Sequence, residues 1–75
     1  MNDWKREDRV LVELPDHWGV AGPRGRMHWF PGTVAEVDPP GRVPGVRVIL
    51  DVLVNGVDNC YATHGELRRE AEGLP

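Results

Sequence analysis

Cys60 and His64 stand four residues apart, and His17, His28 and Asp58 are the other side chains available to join them around a metal ion. Zinc asks for three or four such ligands, with cysteine pairs usually two to four residues apart. A lone Cys-x₃-His is too little, and these residues read as a structural cysteine with exposed histidines and no metal. Cys60 with His64 or His28 as base would also form a nucleophile–base pair. In the register expected below, Cys60 lies opposite Asp51 on an outer face, where a carboxylate disfavours the thiolate. Gly22-Pro23-Arg24-Gly25-Arg26 is turn-rich but lacks the Lys-Ser/Thr ending of a phosphate-binding loop. No carboxylate pair stands in a context for acid–base work. The expectation is a protein that is not an enzyme and uses no cofactor.

The stronger pattern is aromatic and basic. Between Asp16 and Glu36 there is no acid, while His17, Arg24, Arg26, His28, Trp18, Trp29 and Phe30 all lie inside. Arginines flanked by aromatics suit two kinds of partner. They contact phosphates and stack on bases of single strands, or they supply apolar area and select acidic groups on a protein. Nine basic against twelve acidic residues give a net charge of −3. Nucleic-acid binders are usually basic, because phosphate neutralisation supplies most of their affinity. A protein or peptide partner is therefore expected, met by Trp18, Arg24, Arg26, Trp29, Phe30 and Tyr61. A nucleic-acid adaptor using residues 17–30 is the alternative. The bland reading of the same residues has Trp18 and Trp29 closing the end of a small core, with the arginines in solvent.

These residues need a scaffold, and composition says it is β. Valine occurs eleven times, isoleucine once and alanine four times; valine fits a pleated surface, alanine a helix. Seventy-five residues make a single domain, 1–75, with its core at about 4–68. Residues 8–14 alternate, with Val10, Val12 and Leu14 on one face and Arg9 and Glu13 on the other, as in a half-buried strand. Pro15 and Asp16 end it. Residues 15–28, which hold Gly19, Gly22, Pro23 and Gly25, read as a long loop. Residues 29–38 read as a second strand with Pro31 at an edge or bulge, and 38–45 as a turn. Asn55-Gly56 marks a two-residue hairpin between 46–54 and 57–63. That turn pairs Val54 with Val57, Val52 with Asn59, Leu50 with Tyr61 and Val48 with Thr63. It leaves Arg47, Asp51, Asp58, Cys60 and His64 on the outer face. Thr63-x-x-Glu66 has capping-box spacing and predicts one helical turn with Leu67 tucked inward. The tail 70–75 is read as loose or as a short last strand. No apolar run is long enough to span a membrane as a helix, no leader segment opens the chain, and one cysteine suits a reducing compartment. The expected location is the cytoplasm, away from membranes.

Taken in order, these elements describe a small SH3-like barrel of four to five antiparallel strands with a short C-terminal helical turn. The chain resembles a Tudor domain over residues 4–68. Trp4-Lys5-x-x-Asp8-Arg9-Val10 looks like the family's opening motif. Trp29-Phe30-Pro31-Gly32-Thr33-Val34-Ala35-Glu36-Val37-Asp38 is similar to its second strand, Val46 to Leu50 to its third, and Glu66-Leu67-Arg68 to its close. The resemblance implies a cage of aromatics for a methylated lysine or arginine, held by cation–π attraction. Its four positions fall near Leu14, Phe30, Leu50 and Leu53, of which only Phe30 is aromatic. A second, shorter resemblance is to the type II dihydrofolate reductases. It rests on Glu7-Asp8-Arg9-Val10, the strand from Trp29 to Val34, and Asp58-Asn59-Cys60-Tyr61, with Asn59 where that family has glutamine. It implies a small-molecule enzyme assembled at an oligomer axis.

Overall fold

The computed structural model describes residues 3–19, 22–54 and 56–73, without the side chains of 16–19 and 22–25. The strands are β1 (Arg9–Gly19), β2 (Gly22–Val37), β3 (Val46–Val54), β4 (Val57–Ala62) and β5 (Leu67–Arg69). Single 3₁₀ turns, His64–Glu66 and Glu70–Glu72, flank β5. All ladders are antiparallel and run in the order β4-β3-β2-β1-β5. The chain is thus a small all-β domain of five antiparallel strands. Among the described residues the edge strands β4 and β5 share no ladder, so the sheet is not closed into a barrel. No described helix is long and apolar enough to cross a membrane.

The core gathers Val10 and Val12 of β1, Val34 of β2, and Val46, Val48, Leu50 and Val54 of β3. Ala62, Leu67 and Trp4 complete it. Among the described residues no second layer covers the sheet, so it has to curl for this inner face to bury itself. Burial of a valine contributes about 1.5–3 kcal/mol over leaving it exposed, and Val10, Val34, Val46 and Val48 are essentially out of water. Trp4 lies in this core, where its indole N–H donates to the His64 carbonyl at 3.0 Å. The Thr63 capping box forms as expected. The Thr63 amide and hydroxyl both donate to Glu66 Oε1, at 2.9 and 2.6 Å, and Leu67 turns inward, 4% exposed.

Two expectations need correction. Residues 15–28 are no loop. β1 continues to Gly19 and β2 starts at Gly22, pairing His17 with Arg24 and Trp18 with Pro23. Pro15 does not end the strand. The register shifts between Pro15 and His17, and such an irregularity accommodates a residue that has no N–H to donate. The result is a two-stranded arm, 13–19 with 22–31, whose β2 half meets β3 only from Gly32 onward.

The second correction concerns β3 and β4. Val54 does pair with Val57, and Gly56 at φ +77° supplies the positive φ that a two-residue turn requires; Asn55 lies outside the described residues. Beyond the turn the register shifts, and Ile49 pairs with Asn59, Val48 with Cys60 and Arg47 with Tyr61. Residues 50–53 thus face the single residue Asp58, three more than a regular ladder allows. An odd shift exchanges the faces of a strand. Cys60 and Ala62 therefore turn inward, Tyr61 turns out, and Val52 and Val57 are exposed rather than core. β2 pairs Gly32 with Leu50, which stays in the core, and Asp51 keeps its place on the outer face.

There Asp51 meets Arg9. The guanidinium donates through Nη1 to Thr33 Oγ1 and Asp51 Oδ1, both at 2.8 Å, and through Nη2 to Asp51 Oδ2. It also donates to both oxygens of Glu70, at 3.2 and 2.8 Å. One exposed cation thereby ties β1, β2, β3 and the last 3₁₀ turn together. Hydrogen bonds from Arg9 hold the Asp51 and Glu70 carboxyls below their usual range. The His64 ring does the same for Asp38, and the Thr63 hydroxyl for Glu66.

Depressed carboxyl values mean that the unfolded chain binds more protons in acid. The stability these groups contribute is present above the ordinary carboxylate range and lost as pH falls through their lowered folded values. Asp51→Asn should flatten the acid side of the stability curve, read from thermal unfolding between pH 2 and 6 at low salt; an unchanged slope would remove Arg9 as a clamp. Gly32→Ala should destabilise by about 2 kcal/mol, or ~10 °C in Tm. An added Cβ would meet Val48 Cγ1 at 2.6 Å and the Ile49 carbonyl at 2.7 Å, and an unchanged Tm would contradict that approach.

Candidate functional site

Successive residues of a strand point to opposite faces, and this splits the expected site. On β2, Phe30 pairs with Val12 and packs against the inner core, edge-on to His28 with ring centroids 6.1 Å apart. Trp29 pairs with Glu13 and faces outward, half-buried. Tyr61 is away from both. Its hydroxyl donates to the Val43 carbonyl, and the Arg42 guanidinium carbon lies 4.4 Å from its ring centroid, so it anchors the 38–45 turn. Arg26 is exposed on the arm beside the register shift. Trp18 and Arg24 have their backbones in the arm, and their side chains lie outside the described residues. Of the six expected residues, the four with described side chains do not converge on one surface. Trp29 and Arg26 share the arm, Phe30 belongs to the inner face, and Tyr61 to the far edge.

Around Trp29 the structure builds a groove of about 480 Å³. Glu13, Met27 and Trp29 form one wall, and Gly65, Glu66, Leu67, Arg68 and Glu72 the other. β5 supplies the second wall because Leu67 pairs with Val12 and Arg68 with Leu11. That register puts Arg68 on the outer face, with its guanidinium carbon 5.5 Å from the Trp29 ring centroid. Leu11 is buried beneath, between its ladder partners Pro31 and Arg68. Sequence reading missed Glu13, Arg68 and Glu72 as site residues. Glu13 read as an ordinary outward strand position, and the other two fell in or next to the tail. The signal available was the capping box, which turns the chain back toward β1 with Leu67 inward and hence Arg68 outward.

A second pocket, of about 240 Å³, opens at the inner end of the sheet between Leu14, Leu50, Val54, Val57, Asn59 and Cys60. It corresponds to the place where the Tudor resemblance would set an aromatic cage. Leu14 and Leu50 line it, Phe30 packs against the core nearby, and Leu53 is exposed. Neither an aromatic ring nor a carboxylate lines it, so it offers a methylammonium no quadrupole and no counter-charge.

The metal and nucleophile alternatives also acquire geometry. Among the described residues no three His, Cys, Asp or Glu side chains converge. His64 instead pairs with Asp38, Nε2 to Oδ1 at 2.7 Å. Cys60 is not on the outer face opposite Asp51; it pairs with Val48 and packs against the core. Burial, and secondarily the Glu66 carboxylate, push its thiol up from the ordinary value, the opposite of what a nucleophile needs.

No family model matches this chain, and neither a curated protein nor a solved structure matches it.

A raised, half-buried thiol should be sluggish. Cys60 should react with an aromatic disulfide reagent at pH 7 at least about tenfold more slowly in the folded protein than in the urea-unfolded chain. Equal rates would mean the inward placement is wrong.

Proposed function

We propose that this chain is a non-catalytic binding module that meets a protein or peptide with the outer surface of its β1–β2 arm, centred on Trp29. The observation that carries the reading is the groove itself. A half-buried tryptophan, outside the core, walls a cleft between the arm and the C-terminal segment. Tryptophan supplies a large, rigid contact area at small conformational cost, which is why it recurs at the energetic centres of interfaces. Exposed Met27 on the same face extends the apolar area. Arg26 is exposed on the arm and alternates to the face opposite Met27 and Trp29, so it would meet acidic groups of a partner that reaches round the arm's edge, and Arg24 stands in the same strand. We also read the curled sheet as SH3-like. That reading draws on the strand order β4-β3-β2-β1-β5 and on the single 3₁₀ turn before the last strand.

The acid-free arm also keeps a nucleic-acid reading in play, and one set of measurements separates the two. Panning a displayed library of random heptapeptides should enrich sequences on the wild type. The Trp29→Ala, Arg26→Ala double variant should enrich none, while its Tm drops by only a few degrees, because neither side chain belongs to the inner core. Enrichment that survives the double variant would move the contact surface elsewhere. In parallel, a short mixed single-stranded oligonucleotide is titrated at low and at high salt. Amide shifts confined to residues 17–30 that vanish with salt would put nucleic acid ahead of peptide.

A further inference from the structure

We infer that the Trp29 groove takes an arginine side chain from a partner polypeptide. The inference rests on the peptide-binding reading above and gives that groove a charge preference opposite to that of the arm's arginines. Among the described residues three carboxylates line the cleft, Glu13, Glu66 and Glu72, against the single cation Arg68. An acidic side chain or a phosphate entering it would face that excess. A guanidinium would be attracted by the carboxylates and by the Trp29 ring together, since an indole face is the strongest side-chain partner for a cation and a planar guanidinium stacks on it.

The molecule already makes this contact once. Arg68 sets its guanidinium carbon 5.5 Å from the Trp29 centroid, so a guanidinium fits that ring in that setting. Among the described residues Arg68 forms no ion pair, and it is exposed; only a weak contact holds it over the ring. A partner arginine would therefore enter by displacing Arg68 or stacking beside it. Glu66 adds a fixed charge, because the Thr63 amide and hydroxyl hold its carboxylate in place. The apolar pocket between Leu14, Leu50 and Val57 offers none of these features. Partner chemistry follows: an arginine for the groove, with acidic neighbours for Arg26.

The probe is a capped Gly-Gly-Arg-Gly-Gly peptide, titrated at low salt while the Trp29 indole N–H resonance is followed. Controls carry citrulline or glutamate in place of arginine. The arginine peptide should shift the resonance, and citrulline should bind about three- to tenfold more weakly. The Glu13→Gln, Glu72→Gln double variant should weaken the arginine peptide by a similar factor. Arg68→Ala should strengthen it, because the competing cation is gone. Equal binding of citrulline and arginine, or weaker binding to Arg68→Ala, would overturn the inference. A shift with glutamate but not with arginine would overturn it too, while leaving Trp29 as a peptide contact. Silence with all three peptides would also overturn it, and the library experiment would then judge the broader reading independently.

Discussion

A single sheet with no covering layer has one way to keep its apolar face dry, which is to curl over it. Everything else in this molecule follows from that requirement. In a chain of 75 residues the surface buried per residue is small, so the inner face has to be nearly all valine and leucine. The curl then demands local irregularities, because regular ladders make only gently twisted sheets. Three register shifts supply them, at Pro15, at Ala35 and across residues 50–53. Gly32 lets β3 approach β2 closely.

The outer face is where the same constraint turns into surface chemistry. Curling an open sheet splays its outer side, and two devices span that side. One is the Arg9 clamp, which joins three strands to the final 3₁₀ turn through Thr33, Asp51 and Glu70. Exposed ion pairs are individually weak; the value of this one is geometric, since a planar fork satisfied on both edges fixes the relative position of its partners. The other is β5 itself, whose three residues return the chain to β1 and lay Arg68 beside Trp29. The groove is the space left between the arm and that returning segment. Its charge is set by residues from both ends of the chain, Glu13 on the arm and Glu66 and Glu72 on the returning segment.

The alternation in 8–14, the Asn55-Gly56 turn and the Thr63-x-x-Glu66 box are local patterns, and local patterns were readable. Each depends on neighbours within a few residues: side-chain period, positive φ at a turn, a carboxylate reaching back three positions. The arm was not readable, because Pro15, Gly19, Gly22, Pro23 and Gly25 are locally poor strand residues. Their pairing is set by the register of the strands they extend. The site fared likewise. Trp29 and Arg26 were legible as a basic aromatic stretch, but Glu13, Arg68 and Glu72 become its neighbours only through the β1–β2 and β1–β5 ladders.

The sequence by itself determined the class of the molecule, a small antiparallel β domain with a valine core, a hairpin at Gly56 and a capped turn before its last strand. Short-range sterics and side-chain periodicity suffice for those. Tertiary structure alone decided the faces of β4 and the exposure of Val52. β3 pairs with β2 through Gly32–Leu50 and with β4 through Val54–Val57. The β3–β4 ladder slips by three residues between Val54–Val57 and Ile49–Asn59, and that odd shift turns Cys60 in and Tyr61 out. No local pattern encodes that slip, because the turn fixes only the pair beside it and the strand period alone continues a regular ladder.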